Sequence, residues 1–201
     1  MAAARRRAFD DTAFPFSQRS CGVGPELSRP PQNDGMKKNA RMTGATGLKI
    51  RRATLADAVP WTLLFDADGP RAEVEKYLAR GEQWLAEQGG EVVGQMVLME
   101  TRADIWEIMN IAVADACKGQ GIGTAMLKKA KSLATQRGAQ RLEVGTGNSS
   151  LRELAFYQRF GFRIIGVDFD FFVRRWGKAT KQGGIPLRDM IRMEMVLKAA
   201  S

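Results

Sequence analysis

The sequence predicts one α/β domain of the α+β kind, in which helices pack against a sheet. From Leu48 onward, short strand-like runs alternate with segments that repeat every three to four residues. One run, Trp106–Val113, is apolar almost throughout, which is typical of a central strand buried on both faces. The chain has 201 residues, of which 44% are hydrophobic and 26% charged, as in an ordinary globular protein. This length indicates one domain, here residues 48–201, with an N-terminal extension.

The domain is predicted to open with a strand and a helix. Leu48–Arg52 has the pattern of a short strand. Thr54, with Asp57 three residues later, forms an acidic variant of the capping box, which predicts a helix that continues to Phe65. Pro60 lies past the first turn of that helix and is predicted to kink it, because proline has no N–H to donate.

A second helix, a hairpin and the central strand are predicted next. Arg71–Arg80 has helical periodicity and is followed by a glycine. Trp84–Ala86 and Val92–Met99 flank a tight Gln-Gly-Gly turn at residues 88–90, which predicts a hairpin. The central strand Trp106–Val113 then leads towards the second half of the sheet.

The second half continues the alternation of helices and strands. A helix is predicted over Ile122–Arg137 from its apolar face, and a strand over Leu142–Thr146. Ser150 and Glu153 form a capping box for a helix over residues 151–159.

The C-terminal part is predicted to contain two further strands and a loop. Phe162–Val173 alternates apolar and polar residues, with Ile165, Val167, Phe169 and Phe171 on one face. A basic, glycine-containing loop over residues 174–184 separates it from a last strand, Asp189–Leu197.

The charge and the rarer residue types restrict the chemistry. The net charge of +9 favours anionic partners. The chain has no histidine, which excludes histidine general bases, Ser-His and Cys-His nucleophile systems, and histidine metal sites. Cys21 and Cys117 form no CxxC pair and are predicted to be free thiols. No apolar run approaches the roughly 20 residues needed to span a bilayer.

Residues 1–47 are predicted to form a flexible basic leader. They show no sustained periodicity, and they collect prolines and basic side chains. Two interpretations stay open. The leader is either a basic contact arm or an unselected extension ahead of an alternative start at Met36 or Met42, and the extension is favoured.

The strongest chemical signal is a glycine-rich turn between the central strand and the next helix. It reads Lys-Gly-Gln-Gly-Ile-Gly-Thr over residues 118–124. Glycines let the backbone approach a ligand closely, and the N–H groups at a helix start favour an anion. The spacing differs from the dinucleotide fingerprint and from the nucleotide-hydrolysing loop. The turn is therefore predicted to be a phosphate cradle, and the alternative is a turn that only starts a helix.

Three motifs in this order resemble the GNAT superfamily of N-acetyltransferases, in their bacterial form. The glycine turn is similar to its pyrophosphate loop, with Lys118 in place of Gln or Arg, and Asn110–Val113 resembles its bulged central strand. Ala155–Phe162 resembles its helix ending in Tyr-x-x-x-Gly-Phe, as found in the arylalkylamine acetyltransferases. The resemblance covers roughly residues 48–198. It implies a three-layer fold whose mixed, mostly antiparallel sheet splays after the central strand.

The resemblance implies transfer of the acetyl group of acetyl-CoA to an amine within a ternary complex, without a metal. Amides around Ile111, Ala112 and Val113 would pair with the pantetheine arm and polarise the thioester carbonyl, a stabilisation that needs no histidine. The pyrophosphate would be held by the turn, that is by Lys118, Gly119, Gln120, Gly121, Ile122, Gly123 and Thr124.

The resemblance also implies the catalytic residues. Tyr157 matches the family tyrosine that protonates the departing thiolate, and a phenol of pKa about 10 can donate to a thiolate of pKa about 8.5. Glu107 is a lone carboxylate in an apolar strand, where several family members use Glu as a base through water. Burial would raise the pKa of Glu107 towards a useful range, although a structural carboxylate explains it equally well.

One part of the family pattern is missing. The family often has an asparagine where this chain has Ser150, while Asn148 stands two residues earlier. Asn148 and Ser150 are both candidates for contact with the pantetheine or the thiol. Helix capping alone also explains Ser150.

The acceptor is expected to be a small primary amine, with a protein amino group second. Asp168 and Asp170 are candidates for recognising its charge, although a solvated strand face is the simpler explanation. The alternatives are a CoA-binding regulatory module without activity and a nucleic-acid binder, for which no recognition helix is found. We expect no nucleic acid or membrane partner and a cytoplasmic location, and we leave a homodimer open.

Overall fold

The computed structural model describes residues 47–67, 69–177 and 180–197. The predicted leader therefore lies outside the described residues apart from Gly47. The strands are β1 (Lys49–Arg52), β2 (Glu82–Gln88), β3 (Glu91–Arg102), β4 (Ile105–Val113), β5 (Arg141–Gly147), β6 (Arg163–Asp168), β7 (Thr180–Gln182), β8 (Ile185–Leu187) and β9 (Met190–Val196). The helices are α1 (Trp61–Ala67), α2 (Arg71–Leu78), α3 (Ile122–Gln136), α4 (Leu151–Phe160) and α5 (Phe171–Trp176).

Seven of these strands form one sheet in the order β1-β2-β3-β4-β5-β9-β6, and β7 and β8 form a separate hairpin. Within the described residues, the sheet is antiparallel except for the β4–β5 pair. That pairing ends at Ile108 and Val144, beyond which β4 and β5 diverge. The predicted mixed and splayed sheet is confirmed, but the strands separate within β4 rather than after it.

A bulge lies where β4 and β5 begin to separate. Val97 of β3 faces Asn110, whereas the next residue, Leu98, faces Ile108, so Met109 is the extra residue. A bulge bends its strand and increases the local twist, which turns the rest of β4 away from β5. The resemblance to a bulged central strand is confirmed by this register.

Helices cover both faces of the sheet and give it three layers. On one face α3 and α4 pack on a core that includes Met96, Met126 and Leu142. On the other, Leu64 of α1 and Val74 of α2 are fully buried against Val97. No helix in the described part of the chain is long and apolar enough to cross a membrane.

The predicted start of the first helix is wrong. Residues 54–60 form a turn, and α1 begins only at Trp61, directly after Pro60. The Asp57 carboxylate accepts hydrogen bonds from the backbone N–H of Thr54 at 2.7 Å and from its hydroxyl at 2.8 Å, so it closes a turn. It also binds Arg51, whose guanidinium holds the pKa of Asp57 well below its usual range. Proline is tolerated at the start of a helix, so it marks the boundary and makes no kink.

The predicted strand over residues 162–173 is correct only in its first half. Asp170 adopts a positive φ of 55° and donates its N–H to the Asp189 carboxylate at 2.7 Å, after which the chain turns into α5. The apolar residues that share a face of this segment are not buried: Ile165, Val167 and Phe169 are 50%, 42% and 70% exposed, and β6 is an edge strand. The loop predicted over residues 174–184 contains the end of α5 and the start of the β7–β8 hairpin.

A buried polar network connects β4 to the two N-terminal helices. Asn110 donates to the Leu64 carbonyl at 3.1 Å and to the Tyr77 hydroxyl at 2.9 Å, and it accepts a hydrogen bond from Gln95. All four of these residues are at least 95% buried.

Replacing Asn110 with Ala should destabilise the fold, because it leaves these buried groups without partners. We expect the free energy of unfolding to fall by about 2–4 kcal/mol, measured by urea denaturation. A loss below about 0.5 kcal/mol would show that the network does not hold α1 and α2 against β4.

Candidate active site

A cleft of about 1000 Å³ opens where β4 and β5 diverge. Its walls come from β4, β5, α3, α4 and α5 and from the end of α1. It brings together most of the residues predicted from the sequence. Those that line it are Glu107, Ile111, Ala112, Val113, Lys118, Gly119, Gly121, Ile122, Gly123, Thr124, Ser150 and Tyr157.

The glycine turn forms one wall of the cleft. Gly119 and Gly121 have φ values of 81° and 83°, a region that side chains rarely adopt, and a Cβ on either would meet no atom within 4 Å. Gly123 has a different function, since a Cβ there would lie 3.2 Å from the Phe156 ring of α4. The first N–H groups of α3 have no partner within the helix and begin at this turn. The turn therefore has the shape and the polarity of an anion cradle that suits a pyrophosphate.

Lys118 adds a positive charge beside this cradle. Its Nζ lies 2.6 Å from Asp115 and 3.2 Å from Asp66, which comes from the end of α1. The hydrogen bond with Asp115 is the main reason why the pKa of Lys118 is raised. The lysine therefore stays charged at neutral pH.

The second half of β4 forms the floor of the cleft. Ile111 and Val113 pair with β3 on one side, opposite Met96 and Gly94. On the other side β5 has diverged, so this edge of β4 lacks a neighbouring strand. Its backbone groups are available to an extended ligand arm.

Tyr157 lies on α4 and is buried next to two aromatic rings. The ring centroids of Phe156 and Phe162 lie 5.4 and 5.8 Å from that of Tyr157. Burial raises the pKa of the Tyr157 phenol well above its usual value, and the nearby charge of Glu153 adds to this. The phenol is therefore protonated across the whole neutral range.

Glu107 lies on β4, one residue before the end of its pairing with β5. Its side chain is 13% exposed and accepts a hydrogen bond from Arg192 of β9 at 3.0 Å. Burial raises the pKa of Glu107, and this outweighs the opposing effect of the Arg192 charge. The carboxylate is therefore a stronger base than an exposed glutamate.

Two of the predicted cofactor ligands point elsewhere. Asn148 is not part of the cleft lining; it donates to the Pro186 carbonyl at 2.9 Å and accepts from the N–H groups of Arg188 and Asp189. The Gln120 side chain also lies outside the lining and donates to the carbonyl of Ala116 at 3.2 Å. Both side chains satisfy loop backbone groups, so we leave them out of the site.

Ser150 lines the cleft but does not form the predicted capping box. Its side chain makes no capping hydrogen bond to α4. The hydroxyl instead lies 2.9 Å from the Gln182 side chain of β7. Ser150 therefore links the start of α4 to the β7–β8 hairpin.

The acidic pair proposed for amine recognition also has other partners. Asp168 binds Arg174 at 2.5 Å, Asp170 binds Arg188 at 2.6 Å, and neither lines the cleft. Cys117 is a free thiol in the cleft lining, whereas Cys21 lies outside the described residues.

Sequence reasoning placed Arg175 in a basic loop and missed the aromatic contribution of the C-terminal region to the cleft. Phe171, Phe172, Arg175 and Trp176 of α5 line it, and so does Arg192. Phe172 and Trp176 are four residues apart and pack with ring centroids 4.8 Å apart. That helical spacing is the signal that distinguishes α5 from a strand.

Comparison with known proteins agrees with this geometry. The model of the Acetyltransferase (GNAT) family matches residues 54–162, more than half of the chain. The uncharacterized N-acetyltransferase YvbK of Bacillus subtilis strain 168 is 41% identical over 137 residues, which are 68% of this chain and 88% of that protein.

Solved structures agree as well. The IAA acetyltransferase from Bacillus cereus ATCC 14579 is 45% identical with a TM-score of 0.71, covering 75% of this chain and 100% of that one. A GNAT family acetyltransferase from Elizabethkingia anophelis with acetyl-CoA bound is 36% identical with a TM-score of 0.73. The match covers 75% of this chain and 99% of that one. The chain thus belongs to the GNAT family of acetyltransferases and is an acetyl-CoA-dependent N-acetyltransferase.

Proposed function

We propose that the enzyme acetylates a small primary amine by direct attack in a ternary complex, with Tyr157 as general acid and Glu107 as base. The observation that carries this proposal is that both side chains line the cleft that the glycine cradle also lines. Acetyl-CoA supplies an acetyl group activated as a thioester. The remaining chemistry is proton transfer and charge stabilisation, for which this chain has residues other than histidine.

The binding part of the proposal assigns the cradle and the floor of the cleft. The amides of the turn and of the first turn of α3, with Lys118 beside them, would hold the pyrophosphate. The unpaired edge of β4 over residues 111–113 would hold the pantetheine arm and offer an N–H to the carbonyl oxygen. Such preorganised donors stabilise the negative charge that develops during acyl transfer.

The position of Tyr157 in the cleft lining and the proton that it keeps at neutral pH support its role as an acid. A phenol that keeps its proton at neutral pH donates it to the sulfur as the carbon–sulfur bond breaks, so the thiol leaves in its neutral form. The raised pKa of Glu107 supports the complementary role. It accepts a proton from the amine, directly or through one water, as the carbon–nitrogen bond forms.

A contact between α5, which lines the cleft, and the segment after α1 favours a small amine over a protein amino group. A Cβ on Gly69, which follows α1, would lie 2.3 Å from Nε1 of Trp176, so α5 packs directly on that backbone. Arg175 of α5 also binds Glu73 of α2 at 3.2 Å. These contacts hold α5 against the segment after α1 and leave less room for a peptide.

The proposal is tested by calorimetry with acetyl-CoA, followed by measurement of free thiol with a panel of amines. Binding together with amine-dependent thiol release is expected. Binding without release from any small amine or peptide would support the alternative of a regulatory module that binds acetyl-CoA. A peptide that is turned over better than every small amine would favour a protein acceptor.

Replacing Glu107 with Gln should separate catalysis from stability. We expect kcat/KM to fall by about tenfold and to lose the rise with pH that the ionisation of Glu107 produces. Because the folded-state pKa of Glu107 is raised, the ionised carboxylate destabilises the fold at pH values above its pKa. Glutamine carries no such charge, so the Tm of the variant at neutral pH should be equal to or above that of the wild type.

Two outcomes would count against this assignment. A wild-type pH profile in the variant would remove Glu107 from proton transfer. A large fall in Tm together with the activity would indicate that the carboxylate mainly holds Arg192, which also lies 3.7 Å from Asp168.

A further inference from the structure

The sheet ends on one side in β6, an edge strand that exposes an apolar surface. Ile164, Ile165, Val167 and Phe169, which follows the strand, are all exposed. The other edge strand, β1, reads Lys-Ile-Arg-Arg, so basic side chains occupy three of its four positions. Charged side chains along an edge discourage pairing with other chains, whereas β6 has only one charged residue at each end. An apolar edge of this kind is typical of a site of association.

A bulge lies in the middle of β6. Ile164 faces Met193 of β9 and Gly166 faces Arg192, the residue next to Met193, so Ile165 is the extra residue. The other five of the six residues of β6 are paired with β9, and Gly166 is the central one of these five. A Cβ on Gly166 would meet no atom within 4 Å, so the space around this central position is open.

The paired positions of β6 are symmetric about Gly166. Arg163 and Asp168 lie at the two ends, and because they face residues 194 and 190 of β9, both side chains point to the same face of the sheet. Ile164 and Val167 lie between them and face residues 193 and 191, which places both on the opposite face. The strand therefore has opposite charges at its ends on one face and two β-branched apolar side chains on the other.

A second copy of β6 matches this pattern when it lies antiparallel, with Gly166 facing Gly166. The two-fold axis through that position sets Arg163 of each copy opposite Asp168 of the other, and Ile164 opposite Val167. Both kinds of cross-strand pair stabilise antiparallel strands. The sequence of β6 is thus complementary to itself once the bulged residue is left out of the count.

Charge also favours a second copy as the occupant of this edge. Arg163 is exposed and forms no ion pair with any of the described residues. Asp168 binds Arg174 at 2.5 Å, and 33% of its side chain is still exposed. A carboxylate has two oxygens and can accept from a second guanidinium. Asp168 of one copy would therefore give Arg163 of the other the partner that it lacks within the described part of its own chain.

We propose that the protein forms a two-fold symmetric homodimer in which the β6 strands of two copies pair antiparallel across Gly166 and join the two sheets into one. Each cross-strand contact then occurs twice, as in any isologous interface. No residue of β6 lines the cleft, so both clefts stay open in the dimer. The proposal does not depend on the acceptor or on the catalytic roles of Tyr157 and Glu107.

The test is sedimentation equilibrium of the full-length protein, which gives the mass in solution and the dissociation constant of the dimer. We expect twice the 22.2 kDa mass of one chain at concentrations of tens of micromolar. Arg163→Asp places two acidic side chains opposite each other at both ends of the interface, and Asp168→Arg places two basic ones there. Each variant alone should raise the dissociation constant by at least about tenfold.

A mixture of the two variants is the decisive sample. In a mixed dimer every acidic end faces a basic end, so the affinity should return towards the wild-type value. Lys131→Asp is the control for net charge, because this exposed lysine of α3 is remote from β6 in sequence and its replacement changes the charge as much as Arg163→Asp does. Its dissociation constant should stay at the wild-type value.

Gly166→Cys is a second probe that does not change the charge. Residues that face each other in an antiparallel pair have Cα atoms about 4.5–5.5 Å apart, which suits a disulfide. Mild oxidation should link the variant into a covalent dimer, and the wild type, which has the two native cysteines, is the control. A monomeric wild type, a dimer that both charge variants leave intact, or a Gly166→Cys variant that links no better than the wild type would overturn the proposal.

Discussion

Replacing Tyr157 with Phe is expected to lower kcat by about 100-fold or more, while acetyl-CoA binds with nearly unchanged affinity. The substitution removes only the hydroxyl and keeps the ring that packs against Phe156 and Phe162. Because burial raises the pKa of Tyr157 well above 10, its proton is present at every ordinary assay pH. The loss of rate should therefore be uniform between about pH 6 and 9. Free-thiol kinetics and calorimetry measure the two quantities.

Tyr77→Phe is the control for the loss of a buried tyrosine hydroxyl. Tyr77 is the other of the two tyrosines in the chain and is also buried, but its hydroxyl accepts a hydrogen bond from Asn110. That variant should lose stability and keep its kcat. Wild-type turnover in Tyr157→Phe would show that water or another group protonates the leaving sulfur.

Gly121→Glu is expected to weaken acetyl-CoA binding by at least about 100-fold, because it adds a negative charge and a side chain at the start of α3. The site is suited to this test, since a Cβ at Gly121 meets no atom within 4 Å and the new side chain has open space. The loss of affinity would then come from the anion cradle and not from a clash in the fold. Calorimetry on the folded variant gives the dissociation constant.

Gly138→Glu is a control that introduces similar backbone strain, because it also places a side chain at a positive φ. Gly138 lies after the other end of α3, has a φ of 76° and also has open space around its Cβ. Both variants should therefore lose similar stability from a strained backbone. If both bind acetyl-CoA equally well, residues 118–124 do not hold the pyrophosphate.

Much of the fold could be predicted because local periodicity and tertiary packing agree. The alternation of strands and helices, the glycine hairpin and the boundaries of α3 all follow from patterns within a few residues of each other. The end of β6 could not be predicted in this way. It depends on a hydrogen bond between Asp170 and Asp189, which are distant in sequence, and on a positive φ that the apolar alternation does not signal.

The candidate site also contains residues that local patterns predict and residues whose role depends on partners distant in sequence. Lys118–Thr124 and Tyr157 could be proposed because they belong to motifs with a recognisable spacing, and Glu107 because it is a lone carboxylate in an apolar strand. All but the Gln120 side chain line one cleft. Asn148 was misjudged because its partners lie on the β8–β9 connection, about forty residues further along. Arg192 was missed because an arginine in a last strand carries no signal until Glu107 is seen beside it.

The divergence of β4 from β5 leaves the second half of β4 with an open edge inside the sheet, where another polypeptide could pair. Open strand edges usually invite pairing with other polypeptides. This edge lies at the floor of a cleft walled by α3 and α4, so another polypeptide can reach it only from within the cleft. An extended arm such as that of pantetheine would reach it from within the cleft. The helices that form the cleft therefore also cover an edge that would otherwise be open to pairing.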